Sequence, residues 1–388
     1  MSATAAGTLR TEVERAVLEA GLDAVGVTTV EPFDTVRRSL ESRRAAGQHA
    51  GMSFTFRNPR RSTEPDRLLR RARSMVVGAL GYAEPGPSRP APPAARVARY
   101  AWRDHYADLR TALSAGVDVL RDAGQRATIV TDQNGLVDRA AAHRAGIGWW
   151  GRNSNLLIPG AGSWFVLGSI VTDADLAVVD AEPVPDGCRS CTRCIDACPT
   201  GAIVDDGVID ARRCLAWLVQ ARGVFPRASR EALGDRLYGC DDCQDVCPPG
   251  RRTVTDAGVR VELGRKEPLD AWVPVVDLLS RTDEQLMHRY GRWYIPDREP
   301  RYLRRNAIIV LGNIGDGDDP VQRRLQERLV TDDDPLVRAH AVWAAARLGL
   351  DDLVLAAGGD TDATVRAEVA MAPAVPRAAG AAPVGAAT

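Results

Sequence analysis

The chain has 388 residues, with 50 basic side chains against 51 acidic ones and a formal net charge of −1. That balance excludes the global field with which strongly basic proteins gather nucleic acid or anionic membrane, and the length leaves room for two or three domains with buried cores. No apolar run is long enough to span a bilayer, and the opening MSATAAGTLRTEVERAV has neither an apolar signal core nor a twin-arginine pair, so a cytoplasmic protein is expected. Lys266 is the only lysine; arginine carries the basic character.

In chain order, Thr8 is read as capping a helix whose apolar residues Leu9, Val13, Val17 and Leu18 share a face, with Gly21 closing it. A strand is predicted over 23–30, a helix over 36–46 and a buried strand over 74–82 (SMVVGALGY). Proline and glycine crowd 85–93, which reads as a loop. Helical periodicity returns over 106–123 and 137–145, with strands over 127–131 and 164–172. Helices alternating with strands up to about residue 180 predict an α/β layer structure. From Arg57 to Arg110, twelve arginines stand against five acids, Glu64, Asp66, Glu84, Asp104 and Asp108. Such a stretch is either a solvated face or a surface for an anionic partner.

No G-x-G-x-x-G follows a strand, so a nicotinamide or flavin site of the Rossmann kind is not indicated. The candidate site is 130–139 (VTDQNGLVDR), continuing into 145–153 (AGIGWWGRN). Asp132 falls where a strand gives way to a helix, the mouth of many α/β sites, and an Asp there also serves as a helix cap. Glycines interleaved with Trp149 and Trp150 suggest backbone held close to a large flat ligand, or else a buried aromatic cluster.

All eight cysteines lie between Cys188 and Cys247. Cys188, Cys191, Cys194 and Cys198-Pro199 have the C-x2-C-x2-C-x3-C-P spacing that wraps a cubane iron–sulfur cluster. Cys240, Cys243 and Cys247-Pro248 repeat the motif with Leu237 in place of its first cysteine, and Cys214 is left to complete the count. The resulting assignment gives Cys188, Cys191, Cys194 and Cys247 to one [4Fe-4S] cluster. Cys198, Cys214, Cys240 and Cys243 hold the other. Structural zinc uses paired C-x2-C knuckles well apart in sequence, and a disulfide framework is spread through a small secreted chain; neither fits this packing. Clusters move single electrons, so another group must convert electrons into bond chemistry.

Further on, 303–313 realigns with 337–347, and a weaker copy begins at Thr364-Val365-Arg366. This is the pattern of HEAT-type helical repeats, which either bind something large or buttress a neighbouring domain. The Ala/Pro/Gly-rich tail, 373–388, is expected to be disordered.

From about residue 10 to 350 the sequence resembles the epoxyqueuosine reductase family. The resemblance is carried by 99–106 (RYAWRDHY), the Asp132 segment, 145–149 (AGIGW), 162–168 (GSWFVLG) and 198–203 (CPTGAI). Arg213-Cys214, 220–223 (QARG), 235–240 (DRLYGC) and Arg305-Asn306 add to it. It implies a cobalamin-binding catalytic domain of nitroreductase-like, B12-chaperone-like fold over 1–180. A ferredoxin-like double-cluster domain over 181–255 and a helical repeat domain over 256–372 would follow. It implies electrons passing through both clusters to cobalamin, reduction of the epoxide of the modified tRNA base, and Asp132 as proton donor. Arg57, Arg99, Asp132, Ile158, Ser163 and Gln220 become candidate cobalamin contacts, and Arg222 a candidate contact to tRNA. Expected partners are a tRNA with a queuosine-type anticodon and an external one-electron donor such as flavodoxin or ferredoxin, with the chain a monomer. The cluster holding Cys214 is expected nearer the cobalamin, because Cys214 precedes Gln220 and Arg222.

The chain departs from the family pattern at several places. Gly135 stands for the usual Pro, Asp138 for a Glu, Asp104-His105-Tyr106 for Asp-Tyr-His, Arg152 for a Lys, and Pro249-Gly250 for Trp-Asn. These leave open a corrinoid iron–sulfur paralogue acting on another substrate, as reductive dehalogenases do. They also leave open a non-catalytic electron-transfer or tRNA-binding scaffold.

Overall fold

The computed structural model describes residues 3–177, 182–252 and 270–372. The tail expected to be disordered lies outside the described residues, as do the boundaries expected at 180/181 and 255/256. The chain forms two compact units, each assembled from separated segments. The first comprises the described residues of 1–86, 99–217 and 241–269; the second, those of 87–98, 218–240 and 270–388.

In the first unit the strands Ala24–Thr29, Ser74–Gly81, Phe165–Thr172 and Ala127–Thr131 lie in that order in one sheet. Every neighbouring pair is antiparallel, with Val27 opposite Val76, Val76 opposite Ile170 and Ile129 opposite Ile170. The alternation of helices and strands thus builds packed layers without parallel crossovers. A strand's composition records its burial, whereas its direction depends on the end at which the chain re-enters the sheet.

Both faces of this sheet are covered, which is why Ser74–Gly81 is apolar along its length. Val76, Val166 and Ile170 pack with Leu9, Val13 and Val17 of helix Ala3–Glu19 and with Leu109, Leu113 and Val117 of helix His105–Asp122. Met75, Val77 and Ala79 point the other way and join Phe33, Val130, Leu136, Val137, Ala141 and Ile147. Burying side chains of this size contributes roughly 1.5–3 kcal/mol each, so Val130, Leu136 and Val137 pin both ends of the turn that carries Asp132. The first helix starts at Ala3 rather than at a Thr8 cap, because the alanines ahead of Thr8 extend it. Leu18 turns outward, 42% exposed, while Leu9, Val13 and Val17 are buried.

In the second unit Ala94–Val97 is the middle strand of three, parallel to Arg236–Tyr238 and antiparallel to Trp272–Pro274. The helices Arg301–Ile314, Pro335–Arg347 and Ala363–Met371 correspond to the three sequence copies and pack in series. Asp334 and Asp362 accept hydrogen bonds from Leu336 and Thr364 N–H, and Asp319 does the same ahead of helix Pro320–Leu329. An Asp cap restarts each of these three helices after a short turn, with a first-turn proline after Asp319 and Asp334 and an alanine after Asp362. The aligned arginines find different partners: Arg338 forms an ion pair with Asp360 at 2.6 Å and Arg304 one with Asp283, while Arg305, the next residue, is completely buried. Among the described residues no helix is long and apolar enough to cross a membrane.

Candidate active site

Strand Ala127–Thr131 runs into Asp132, whose φ of +47° places a non-glycine residue in the left-handed region. Strain of this kind persists only where neighbours enforce it. Here Ser62 Oγ donates to the Asn134 carbonyl at 2.9 Å, and Asn134 Oδ1 accepts from Thr55 N–H at 3.2 Å. Helix Asp138–Arg144 starts after Val137 with no side-chain cap, so Asp132 is not a helix cap. Asp132 keeps a solvent-facing surface, yet enough protein surrounds its carboxyl that burial raises its pKa against a smaller opposing pull from Arg110. Asp138 is partly exposed as a residue, but its Oδ1 has neither solvent contact nor a hydrogen-bond partner. Burial, and then the charge of Asp132, push the Asp138 carboxyl up to about 8, with Arg139 opposing. Burial, then Asp132 and Asp138, also raise the Tyr106 phenol. One corner of the fold therefore gathers two carboxyls that hold protons more tightly than usual, a phenol and an arginine.

The bonds to Asn134 bring the loop bearing Arg57, which is exposed, against this corner. Phe54 on the same loop is 38% exposed and Trp150 is 40% exposed. His49 Nδ1 and Asn153 Nδ2 are buried without a hydrogen-bond partner. Trp149 has a different job. It is buried and donates Nε1–H to Cys188 Sγ at 3.5 Å. A Cβ on Gly148 would stand 2.2 Å from the Leu157 carbonyl oxygen, so this glycine permits the close hairpin of Trp149–Trp150 with Leu156–Leu157. Internal packing accounts for Gly148 and Trp149, and Trp150 is the aromatic of the pair left facing solvent. Ile158 lies at the end of this region, bridged to Gly162.

The eight cysteines are free thiols, each partly buried. Burial, with the nearby thiols of Cys188, Cys194 and Cys191, pushes Cys247 up to about 11. Cys214 is raised by burial and has Cys198 beside it, and Cys198 Sγ accepts from Ala202 N–H at 3.1 Å. Cys247 therefore lies within electrostatic reach of Cys188, Cys191 and Cys194, and Cys214 within reach of Cys198. The segment carrying Cys243 and Cys247 is fastened at several points. Gln244 Oε1 accepts from Ser163 Oγ at 2.9 Å and from the Tyr82 hydroxyl at 3.4 Å. Arg99 pairs with Asp245 at 2.6 Å, its N–H donates to Asp241 at 2.8 Å, and its guanidinium lies 4.7 Å from the Trp164 ring centre. Gly162 packs backbone to backbone on Gly250, where a Cβ would meet the Gly250 Cα at 2.5 Å. Ser163 and Arg99, read in the sequence as cofactor contacts, thus hold the cysteine-bearing segment. Gln244 went unremarked there because its partners are distant in sequence.

Gln220 and Arg222 belong to the second unit. Their segment is gripped by Arg305, whose Nη1 donates to the carbonyls of Ala221 and Gly223 at 2.6 and 2.7 Å and whose Nη2 donates to that of Leu218 at 3.1 Å. Asn306 Nδ2 donates to the Val219 carbonyl at 2.8 Å. Burial pushes the Arg305 guanidinium down to about 9, which leaves it charged at neutral pH. Arg222 points outward and is held by Asp297, Nε to Oδ2 at 2.6 Å and Nη2 to Oδ1 at 2.5 Å.

A model of the 4Fe-4S double cluster binding domain matches residues 187–250, and a HEAT repeats model matches 294–374. The epoxyqueuosine reductase of Staphylococcus aureus (strain NCTC 8325 / PS 47) is 33% identical over 337 residues, 84% of this chain and 86% of the relative. The chain belongs to the epoxyqueuosine reductase family. The epoxyqueuosine reductase of Bacillus subtilis (strain 168) is 32% identical over 339 residues, 85% of each chain. A crystal structure of epoxyqueuosine reductase with an epoxyqueuosine-modified tRNA-Tyr stem loop superimposes with a TM-score of 0.84 at 28% identity, covering 95% of this chain and 98% of that one. The Bacillus subtilis enzyme with its catalytic aspartate loop swung out of the active site gives 0.83 at 28% identity, with the same coverage. The family fold, its double-cluster domain and its HEAT-like repeats are therefore those of this chain.

Proposed function

We propose that this chain is an oxidoreductase that reduces epoxyqueuosine to queuosine in a tRNA anticodon, with two [4Fe-4S] clusters feeding a cobalamin at the Asp132 corner. One observation carries the reading. Asp132, held in a left-handed turn at the mouth of the sheet, has a carboxyl whose affinity for a proton burial has raised. Removing an epoxide oxygen as water takes two electrons and two protons, so the site needs proton-bearing groups at neutral pH as much as it needs reductant.

The residues present fit a cobalamin. Exposed Phe54 and Trp150 offer apolar surface to a corrin, and the unpartnered polar atoms of His49, Asn153 and Asp138 offer hydrogen bonds to a polar edge. Arg57 and Ile158 are the contacts we assign to it, with Arg99 and Ser163 acting through the cysteine segment they hold. When bound, this group supplies the low-potential electron chemistry that no side chain of the protein can. The chain's own residues do the rest. Asp132 gives a proton to the departing oxygen, and Asp138, protonated at neutral pH, keeps a second proton in the corner. Arg139 balances whichever carboxyl is left charged. Eight cysteines in the assigned groups carry the electrons inward, and Arg222 meets the RNA backbone.

The test is anaerobic turnover of epoxyqueuosine-containing tRNA by protein loaded with iron and cobalamin, with loss of one oxygen read by mass spectrometry. Protein that holds both cofactors and leaves the substrate unchanged would be a paralogue acting on something else.

A further inference from the structure

In the second unit a column of aromatic rings supports one that is left outside. Tyr238, which is buried, stacks on Trp293 with ring centres 4.6 Å apart, and Trp293 stacks on Tyr290 at 4.8 Å. The Tyr238 hydroxyl accepts Tyr294 N–H at 2.8 Å and donates to the Tyr294 carbonyl at 3.4 Å. The backbone of Tyr294 is thus fixed from both sides, while 51% of the residue faces solvent. A large ring on so rigid a mount loses little further freedom on binding.

The next turn places a carboxylate beside it. Asp297 and Arg298 are both left-handed, with φ of +52° and +59°, and Arg298 Nη1 holds the turn by donating to the Gly291 carbonyl at 2.8 Å. In this setting Asp297 takes Arg222 through two parallel hydrogen bonds. Tyr294 lies three residues before Asp297, so the exposed ring and the carboxylate that holds Arg222 belong to one short, rigid stretch of chain. The pair is exposed on both sides, 59% and 46%, so it is held weakly and exchanges easily. Two carboxylate oxygens on the fork of a guanidinium occupy the places that two phosphate oxygens take.

We propose that Tyr294 and Arg222 form a single-nucleotide site for unpaired RNA, in which a base stacks on Tyr294 and its phosphate displaces Asp297 from Arg222. An exposed ring beside an arginine is how proteins bind single-stranded nucleic acid, and it suits no feature of a paired stem. Asp297 then acts as an internal stand-in for phosphate. It keeps Arg222 extended and ready, and it releases Arg222 only to a ligand with the same two-oxygen geometry. This inference rests on tRNA being the substrate, and it adds a stacking residue and a displaceable carboxylate to that reading.

The test measures binding of two probes, an unmodified anticodon stem-loop RNA and a single-stranded oligoribonucleotide, to the full chain at several salt concentrations. Tyr294→Ala should weaken both at least about five-fold, and Tyr294→Phe should restore binding because stacking needs only the ring. Asp297→Asn keeps a residue that tolerates the left-handed backbone and removes only the charge. It should tighten binding about two- to five-fold, because the phosphate then reaches Arg222 without displacing a carboxylate. Arg222→Ala should weaken binding and abolish the effect of Asp297→Asn. RNA binding within error of wild type in both Tyr294→Ala and Asp297→Asn would overturn the site, as would wild-type protein that binds neither probe. Slower delivery of electrons from a protein donor in Tyr294→Ala, with RNA binding unchanged, would assign the patch to that donor instead. Turnover of the modified tRNA is scored separately. A chain that binds RNA through Tyr294 yet reduces no epoxyqueuosine retains this site and loses the proposed reaction; a chain that turns over with both variants unaffected does the reverse.

Discussion

Asp132 and Asp138 flank one tight turn between a strand and a helix, and the charge of Asp132 makes Asp138 harder to ionise. The more enclosed carboxyl, Asp138, bears most of this repulsion, because it has an oxygen with neither solvent nor partner. A pair of acids with unequal environments separates into one that ionises in turnover and one that stays protonated near neutrality.

Asp132→Asn removes the proton while keeping size and polarity. Iron and cobalamin contents should match wild type, and turnover of epoxyqueuosine-tRNA should fall about 10²- to 10⁴-fold, the range that general acid catalysis contributes. Single-turnover mass spectrometry reads both substrate loss and product. Full activity in this variant would remove Asp132 from the mechanism.

Asp138 sets a pH dependence of stability. Its folded pKa of about 8 lies above the ordinary value of 3.8. Between these two values the folded state binds more protons than the unfolded one, so stability falls as pH rises, by up to about 1.4 kcal/mol per pH unit. Below the lower value the contribution is fully present, and above the upper one it is lost. Asp138→Asn should flatten this decline, with the unfolding temperature of the variant gaining on wild type between pH 6 and pH 9. Parallel curves for the two proteins would show that Asp138 ionises freely.

Cysteine grouping is testable by non-additivity. Cys247→Ala and Cys188→Ala should each remove the same cluster and about half the iron, and the double variant should lose no more. Cys247→Ala combined with Cys214→Ala should lose both clusters. Iron analysis with electron paramagnetic resonance of the reduced protein distinguishes these outcomes from any other pairing.

Arg305→Ala strips the donors from the carbonyls of Leu218, Ala221 and Gly223 by removing a fully buried side chain. The cost expected for breaking a buried charged network is about 3–5 kcal/mol. Arg305→Lys should recover only part of it, since three donors on one nitrogen cannot span the same carbonyls. Denaturant unfolding of both variants checks the order wild type, Lys, Ala.

His340 supplies a second, acid-side dependence. Its Nε2 accepts Phe225 N–H at 3.2 Å and its Nδ1 donates to the Leu336 carbonyl at 2.7 Å, so the ring must be neutral. Burial lowers its pKa well below 6.5. The unfolded chain therefore takes up the proton first, and this stability is lost as pH falls from about 6.5. A His340→Gln variant should show a shallower acid limb in thermal unfolding.

The sequence by itself determined the features that are local in the chain. Cysteine spacing identified the cluster segment because ligands a few residues apart must wrap one cluster. Hydrophobic periodicity located helices such as His105–Asp122 and strands such as Ala127–Thr131 to within a residue or two, since burial leaves its period in the side chains. Asp334 followed by Pro335 is a helix start for a similarly local reason. Only the tertiary structure decided what depends on chain path and enclosure. Strand direction in the four-stranded sheet is written in no strand's composition, and the alternation of helices and strands cannot supply it. Arg304 and Arg338 occupy equivalent places in the aligned repeats, yet one pairs with Asp283 and the other with Asp360, while Arg305, one place on, is buried on backbone carbonyls. Ser163 and Arg99 turned out to grip Gln244 and Asp245, partners far away in sequence. The protonation of Asp132 and Asp138 was equally out of reach, because a carboxyl's proton affinity is fixed by what folding packs around it.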